Sequence, residues 1–453
     1  MTNYETLSQI RFLPELQNAN IHEKANILQN FIQSVIFDHS GLCYSLLLID
    51  GERSVRMMTP EDIQSIDIWD DFHQDELSVL LKQEAYTFEN SLTTAGAYLR
   101  SQALRYKVTG EAEALSESMR AFNSIYLVYR WGVAKSKPGW LGKPYGRKFS
   151  LASTPDQYFF ALLGMREFYD IAPAPEREKV ERMVVDIADF SIERNYQLTL
   201  TETPWVMAEE LYGYNAIYML INILAYEISG EEKYTREFSR LAQFGRWREE
   251  TYLDHWRDLG LKRMLQFERM SLPYFAVASA EWIYELAPYV FGKRSSLARD
   301  KWEECLGRWY RFSKLGMDDE YYVHYWVDID VEKGTWTPTG LTPVRPPEEA
   351  DTAPTEALFM RYYSDVAFSP NMYRQLLIAV YAAQYCHGQI QSAAYQQTLD
   401  MMKLTDGTRL RWFIDRDGKQ LLPELKWMGC IMDSEAPFHY LTAYWLGRKA
   451  GWW

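Results

Sequence analysis

Cysteine is scarce in this 453-residue chain, and none of its four, Cys43, Cys305, Cys386 and Cys430, stands in a CxxC pair. A disulfide framework is thereby excluded, and a reducing compartment is the natural home. Positive charge is in deficit. With 48 Lys plus Arg against 62 Asp plus Glu the formal net charge is -14, so the basic surface that tracks a phosphate backbone is missing and nucleic acid is not an expected partner. No apolar run reaches the roughly 18 residues of a membrane span, and the opening Met-Thr-Asn-Tyr-Glu lacks the basic and apolar stretches of a secretory signal. The expectation is a soluble, cytoplasmic protein without a membrane partner. Absent too are a Gly-rich phosphate loop, a Rossmann fingerprint and a Ser nucleophile elbow, so no cofactor is expected. Aromatics, by contrast, are abundant: 15% of the chain, with 16 Trp, 32 Tyr and 21 Phe, more than an ordinary core needs.

A recurrence runs through the chain. Tyr106-Lys-Val-Thr-Gly110, Tyr169-Asp-Ile-Ala172, Tyr226-Glu-Ile-Ser-Gly230 and Tyr284-Glu-Leu-Ala-Pro288 each end an apolar stretch, with Tyr385-Cys-His-Gly388 and Tyr444-Trp-Leu-Gly447 as weaker members. Each unit reads as helix, tight turn, helix, the first ending in a C-cap residue and the second opening on acids that suit a helix N-terminus. The stretch 207–229 is apolar nearly all round, whereas 231–250 is one-sided and charged. The first helix of each pair is therefore expected to be buried and the second to cover it. Five pairs are expected at about 77–134, 154–195, 206–251, 268–316 and 370–404, with a sixth inner helix at about 436–449. The amphipathic segment 22–36 is available as its partner, which predicts one all-α domain over 1–453. In it, segment 1–70 completes a closed ring and 317–368 forms a loop insertion. Links within pairs are short, while those between pairs are long, at about 135–153, 196–205, 252–267, 317–369 and 405–435. The functional face is expected where those long loops meet the starts of the inner helices. Small β-hairpins are expected at Tyr44 to Met58, Tyr321 to Thr337 and Arg409 to Leu422.

The Tyr226 to Tyr234 turn and the alternation of inner and outer helices resemble the six-hairpin (α/α)6 barrels of carbohydrate-active enzymes. Within them, Ser153-Thr-Pro-Asp-Gln-Tyr158, running on to Gly164 and Tyr169, is similar to the Asp-bearing inner helix of unsaturated glucuronyl hydrolases. The architecture covers nearly the whole chain and the motif about twenty residues of it. The resemblance implies a second Asp on the preceding inner helix; Glu89 and Asn90 are the nearest residues here, a departure from that pattern.

Thr154-Pro155-Asp156-Gln157 reads as a capping box in which Gln157 either reaches back to the cap amide or faces a ligand. Asp156 falls in the first turn, where free amides favour a carboxylate and suit a base or a sugar-hydroxyl acceptor. Glu209 and Glu210 follow Trp205 into an apolar run, and an acid placed so must find a partner or keep a proton, which is how a general acid is made. Glu435 and His439, four apart, share a helix face and suit proton shuttling near neutral pH, or an ordinary i,i+4 pair. Arg147, Arg269 and Arg374 follow long loops and could together hold a uronate carboxylate, unless neighbouring acids claim them. Trp140, Tyr145, Trp205 and His255 lie on the same loops, where flat rings suit the C–H face of a sugar. Cys386-His387 lacks the further ligands of a zinc site, and no metal is expected. The expected activity is a glycoside hydrolase with Asp156, Glu210, Glu435 and His439 as catalytic groups, acting on a small oligosaccharide. A uronate-directed lyase or epimerase and a noncatalytic glycan- or protein-binding toroid are the alternatives, and a homo-oligomer is compatible with all three.

Overall fold

The computed structural model describes residues 2–64, 79–200, 203–205, 214–244, 272–290, 299–324, 327–330, 335–338, 366–416, 421 and 423–453. Helices dominate, joined by small antiparallel sheets. Four helices come first: α1 Tyr4–Ser8, α2 Ile21–Val35, α3 Pro60–Gln64 and α4 Val79–Phe88. Five pairs follow: α5 Ser91–Thr109 with α6 Ala112–Ala134, α7 Pro155–Tyr169 with α8 Ala174–Glu193, α9 Tyr214–Ser229 with α10 Glu232–Phe244, α11 Leu272–Val290 with α12 Arg299–Ser313, and α13 Ser369–Tyr385 with α14 Gly388–Leu404. The last is α15 Glu435–Lys449.

The repeated Tyr-to-Gly signature has a local cause. Gly110 and Gly230 take φ of 70° and 72°, the left-handed conformation, and each donates its N–H to the carbonyl of the tyrosine four residues earlier. A side chain would be strained there, so glycine ends the helix and frees the chain to reverse. Burial then separates the partners of each pair. In α5 every residue from Ser91 to Arg105 is buried, in α13 Ser369 to Ala383, and in α15 Glu435 to Gly447. Helix α8, by contrast, buries a stripe of Val180, Met183, Val184, Ile187 and Ala188. An all-round apolar helix can satisfy its surface only inside, and a one-sided helix only by covering something.

Among the buried helices α5 lies against α7, α7 against α9, α9 against α11, α11 against α13, α13 against α15, and α15 against α5. The α5–α7 crossing is the tightest. A Cβ on Gly96 of α5 would fall inside the carbonyl of Phe160, and one on Gly164 of α7 inside the carbonyl of Gly96. A glycine inside a helix costs about 1 kcal/mol relative to alanine, so the close approach must more than offset that. Gly96→Ala will therefore destabilise the protein by about 1–3 kcal/mol despite its gain in helix propensity; urea denaturation with an unchanged midpoint would remove the tight crossing.

Helix α2, started by a capping box between Asn20 and Glu23, lies against α15. His22 Nδ1 meets the Tyr444 hydroxyl at 2.8 Å, and Tyr440 donates to the Ile21 carbonyl at 3.3 Å. Lys24 buries its ammonium to cap the end of α14, donating to the carbonyls of Lys403 and Thr405.

The strands are β1 Leu46–Gly51, β2 Ser54–Arg56, β3 Leu198–Leu200, β4 Thr203–Trp205, β5 Val327–Asp330, β6 Thr335–Pro338, β7 Ala367–Phe368, β8 Phe413–Ile414 and β9 Ile431–Asp433. The β1–β2 hairpin forms at the expected turn, with Ile49 opposite Val55, and β5–β6 lies within and just beyond the expected 321–337 hairpin. The turn and most of the second arm of the hairpin expected within 409–422 lie outside the described residues. Strand β8 pairs with β7, Phe368 opposite Phe413, because the two apolar rings, 4.9 Å apart, bury each other as the chain enters α13. Strand β1 also pairs with β9, Leu46 opposite Asp433, fixing the chain just before α15.

Candidate functional site

The beginnings of α5 and α7 are knitted together by Gln157. Its Nε2 donates to the Glu89 carbonyl at 3.3 Å, Asn90 Oδ1 at 3.3 Å and Thr93 Oγ1 at 3.1 Å, while its Oε1 accepts the Leu92 N–H at 3.2 Å. The capping box expected within 154–157 does not form: Thr154 makes no side-chain cap, and Gln157 Oε1 accepts the Leu92 N–H of the neighbouring helix instead. This fully buried amide spends its hydrogen-bonding capacity inside the protein, which favours a structural role over a ligand contact. Asp156, one position earlier, stays partly exposed.

The loop before α7 is tied down more firmly than its Gly, Pro and Trp content suggests. Trp140 is buried, its indole N–H donating to the Ser150 carbonyl at 2.8 Å and its ring 5.8 Å from Phe190. It is core rather than a stacking platform, because a large ring gains more from burial than from a wet surface. Arg147 pairs with Asp38 at 2.7 Å and with Glu84, and its guanidinium lies over the Phe88 ring. Asp38 is buried and held below the usual carboxylate range by hydrogen bonds from Ser40, Arg147 and Leu42 against the opposing effect of burial. Arg147 thus neutralises the buried Asp38 and the partly buried Glu84, and its guanidinium is already paired within the protein. Tyr145 donates to the Glu89 carboxylate, which also receives Lys143. Burial, then the charges of Glu89 and Asp156, push the Tyr145 phenol far up, so it keeps its proton and donates a hydrogen bond to Glu89.

Deeper in, Arg374 of α13 faces acids from two other helices. Its Nε is 3.5 Å from Glu281 Oε2 of α11 and its Nη2 3.3 Å from Glu435 Oε2 of α15, and none of the three side chains is more than 3% exposed. Asp433, two residues before, accepts the Glu435 N–H at 3.2 Å. Burial pushes the Glu435 carboxyl up against the pull of Arg374, and the charge of Asp156 raises it further. Burial also pushes Glu281 up, to about 8. His439 lies against Phe160, ring centroids 5.4 Å apart, with its Nε2 3.9 Å from Glu435 Oε2, too long for a hydrogen bond. Burial and the charges of Arg374 and Arg100 lower its pKa far below the ordinary histidine range, so it stays neutral. The expected shuttle between Glu435 and His439 near neutral pH is corrected accordingly: the apolar surroundings and two guanidinium groups forbid the imidazolium.

One turn along α11, Glu285 is held bidentately by Arg100 of α5, at 2.5 and 2.7 Å, and accepts the Tyr381 hydroxyl at 2.9 Å. Beyond that pair a cavity of about 480 Å³ opens at the hairpin-turn ends of the buried helices, where Lys107 pairs with Glu167 and Asp170, and Arg166 with Asp170 and Glu227.

The structure brings Asp156, Tyr145, Glu435, His439 and Arg374 to one end of the buried helices and engages Trp140, Arg147 and Gln157 in contacts within the protein. Glu209, Glu210, His255 and Arg269 lie outside the described residues, and Trp205 is described through its backbone, paired with Leu198. Sequence reasoning missed Glu281, Glu285 and Arg100. The signal existed for the first two: 281 and 285 are four apart in an otherwise apolar helix, the same criterion that singled out Glu209 and Glu210. No protein-family model matches the chain, and no curated protein is significantly similar to it.

Proposed function

We propose that the chain is a carbohydrate-active enzyme of the six-hairpin (α/α)6 type, and within that class a cytoplasmic glycoside hydrolase acting on a short oligosaccharide. The circuit of neighbours among the buried helices supports the architecture, and the absence, among the described residues, of a helix able to cross a membrane is compatible with the location. The observation that carries the chemistry is the pairing of unlike carboxyl groups. Glu435, buried and pushed toward its protonated form, lies within electrostatic reach of Asp156, which is partly exposed in the first turn of α7. A buried carboxyl pushed toward its protonated form suits the acid of a glycosidase, and a more exposed carboxyl near it suits the base or nucleophile. Glu435 gives its proton to the leaving oxygen, Asp156 activates water or attacks the sugar, and Tyr145 with Glu89 lines the approach to Asp156.

A uronate-directed lyase or epimerase draws less support. Of the arginines such a site would use, Arg147 and Arg374 are already paired with protein carboxyls.

Incubation with a panel of oligosaccharides, followed by product mass analysis, tests the reading: a gain of water marks hydrolysis, a loss marks a lyase, and an unchanged mass marks an epimerase or a binder. Asp156→Asn is expected to keep the fold and lower turnover by about 10²-fold or more. Wild-type turnover in that variant would take Asp156 out of the reaction.

A further inference from the structure

The cavity of about 480 Å³ lies at the hairpin-turn end of the buried helices, the end away from Asp156 and Glu435. Every helix of the circuit contributes to its wall: Lys107 from α5, Arg166 from α7, Glu227 from α9, Tyr289 from α11, Gln384 from α13 and Lys449 from α15. It is bounded by the whole circuit and not by a gap between two neighbours, and its volume is that of a small-molecule site.

The charged groups in the wall are engaged with one another. Lys107 pairs with Glu167 and Asp170, Arg166 with Asp170 and Glu227, and Arg100 with Glu285. Lys449 is exposed and makes no direct ion pair among the described residues, but against the effect of burial it joins Lys107 and Arg100 in holding the Glu167 carboxyl below its ordinary range. Two neutral groups are unspent. Neither the Tyr289 hydroxyl nor the Gln384 amide has a hydrogen bond among the described residues, and both side chains, half-buried, line the cavity. Burial pushes the Tyr289 phenol far up, so it keeps a proton to donate, while the amide can both donate and accept. A charged ligand would have to compete for groups already held in ion pairs. A hydroxyl-rich one can meet the phenol and the amide without breaking any of them. Tyr381 and Tyr385, also in the wall, set ring surface beside these polar groups, and a sugar presents the matching combination of C–H face and hydroxyls.

We propose that this cavity is a second binding site, for an uncharged polyhydroxylated ligand, a small sugar or a polyol, held by hydrogen bonds from Tyr289 and Gln384. The site does not depend on the glycosidase reading, which concerns the opposite end of the same helices.

Calorimetric titration of the full chain with maltose, D-glucose and sorbitol tests it, with D-glucuronate and D-glucosamine as charged counterparts. At least one neutral probe is expected to bind with a Kd on the order of 1 mM or tighter, and the charged sugars about 5-fold or more weakly. Tyr289→Phe and Gln384→Leu each remove one hydrogen-bonding group and should weaken the neutral probe by about 5-fold or more. In the wild type, the bound probe should slow amide hydrogen exchange in the last turns of α11 and α13, a measurement that stands even if a variant folds poorly. No binding by any neutral probe, or wild-type affinity in both variants, overturns the proposal, and charged sugars that bind as well as neutral ones overturn the ligand class. Protection confined to the first turns of α7 and α15 would place the sugar at the candidate catalytic end, discarding this site while leaving the glycosidase reading intact.

Discussion

Removal of residues 1–40 will abolish cooperative folding of the remaining chain. The segment contributes Phe12, Leu13, Leu16, Leu28, Phe31, Ile32 and Ile36 to the main hydrophobic core, all of them buried. At about 1.5–3 kcal/mol for each buried side chain of this kind, the loss is on the order of 10 kcal/mol, comparable with the entire stability of a typical folded protein. The damage is not confined to lost apolar area. Without Lys24 the last carbonyls of α14 lose their cap, and without α2 the buried tyrosine Tyr440 and its neighbour Tyr444 lose Ile21 and His22 as partners. Circular dichroism during heating should give a broad, shallow change or an aggregating chain where the full protein gives a sharp transition. A truncated protein that melts at the wild-type temperature would show that α2 merely decorates α15.

Arg100→Met will destabilise the protein by about 3–5 kcal/mol, because it strands Glu285 as an unpaired acid in an environment where that side chain is 2% exposed. Taking both charges out of water offsets most of their mutual attraction, so the intact pair need not contribute much; its breakage is what is costly. The companion variant tests this. Arg100→Met combined with Glu285→Leu removes both charges and should recover most of the loss, since well-packed apolar replacements of a buried ion pair are often neutral or better. The Tyr381 hydroxyl, which bonds both partners, is left short in the double variant and sets the limit of recovery. Urea denaturation of the two variants beside the wild type makes the comparison, and equal losses in the single and double variants would contradict it.

The helices themselves were legible in the sequence because their signals are local. The Tyr-to-Gly endings at Gly110 and Gly230 are left-handed C-caps, and a stretch apolar on every face has nowhere to go but inside. The same reasoning placed Asp156 and Glu435 at helix starts and found the β1–β2 turn. Partnership was not legible. Thr154-Pro-Asp-Gln157 satisfies a local capping rule, yet the free Leu92 N–H at the start of α5 competes for Gln157 Oε1 and wins, since leaving it unpaired in the interior is the greater cost. Trp140 and Arg147 have the chemistry of ligand contacts, and only the fold reveals the core cavity that takes the indole and the buried Asp38 that takes the guanidinium.

What the sequence determined by itself is the helical class and the order of buried and covering helices, set by the period of apolar residues and, at Gly110 and Gly230, by a backbone conformation that few residues tolerate. What only the tertiary structure decided is the charge state of the interior. Glu281, Glu435, His439 and Arg374 come from three helices distant in sequence, and whether each holds a proton depends on how deeply it is buried and on the charges, Arg374 and Arg100 among them, that the fold brings near. Those quantities arise from the packing of the helices against one another, and no local pattern along the chain encodes them.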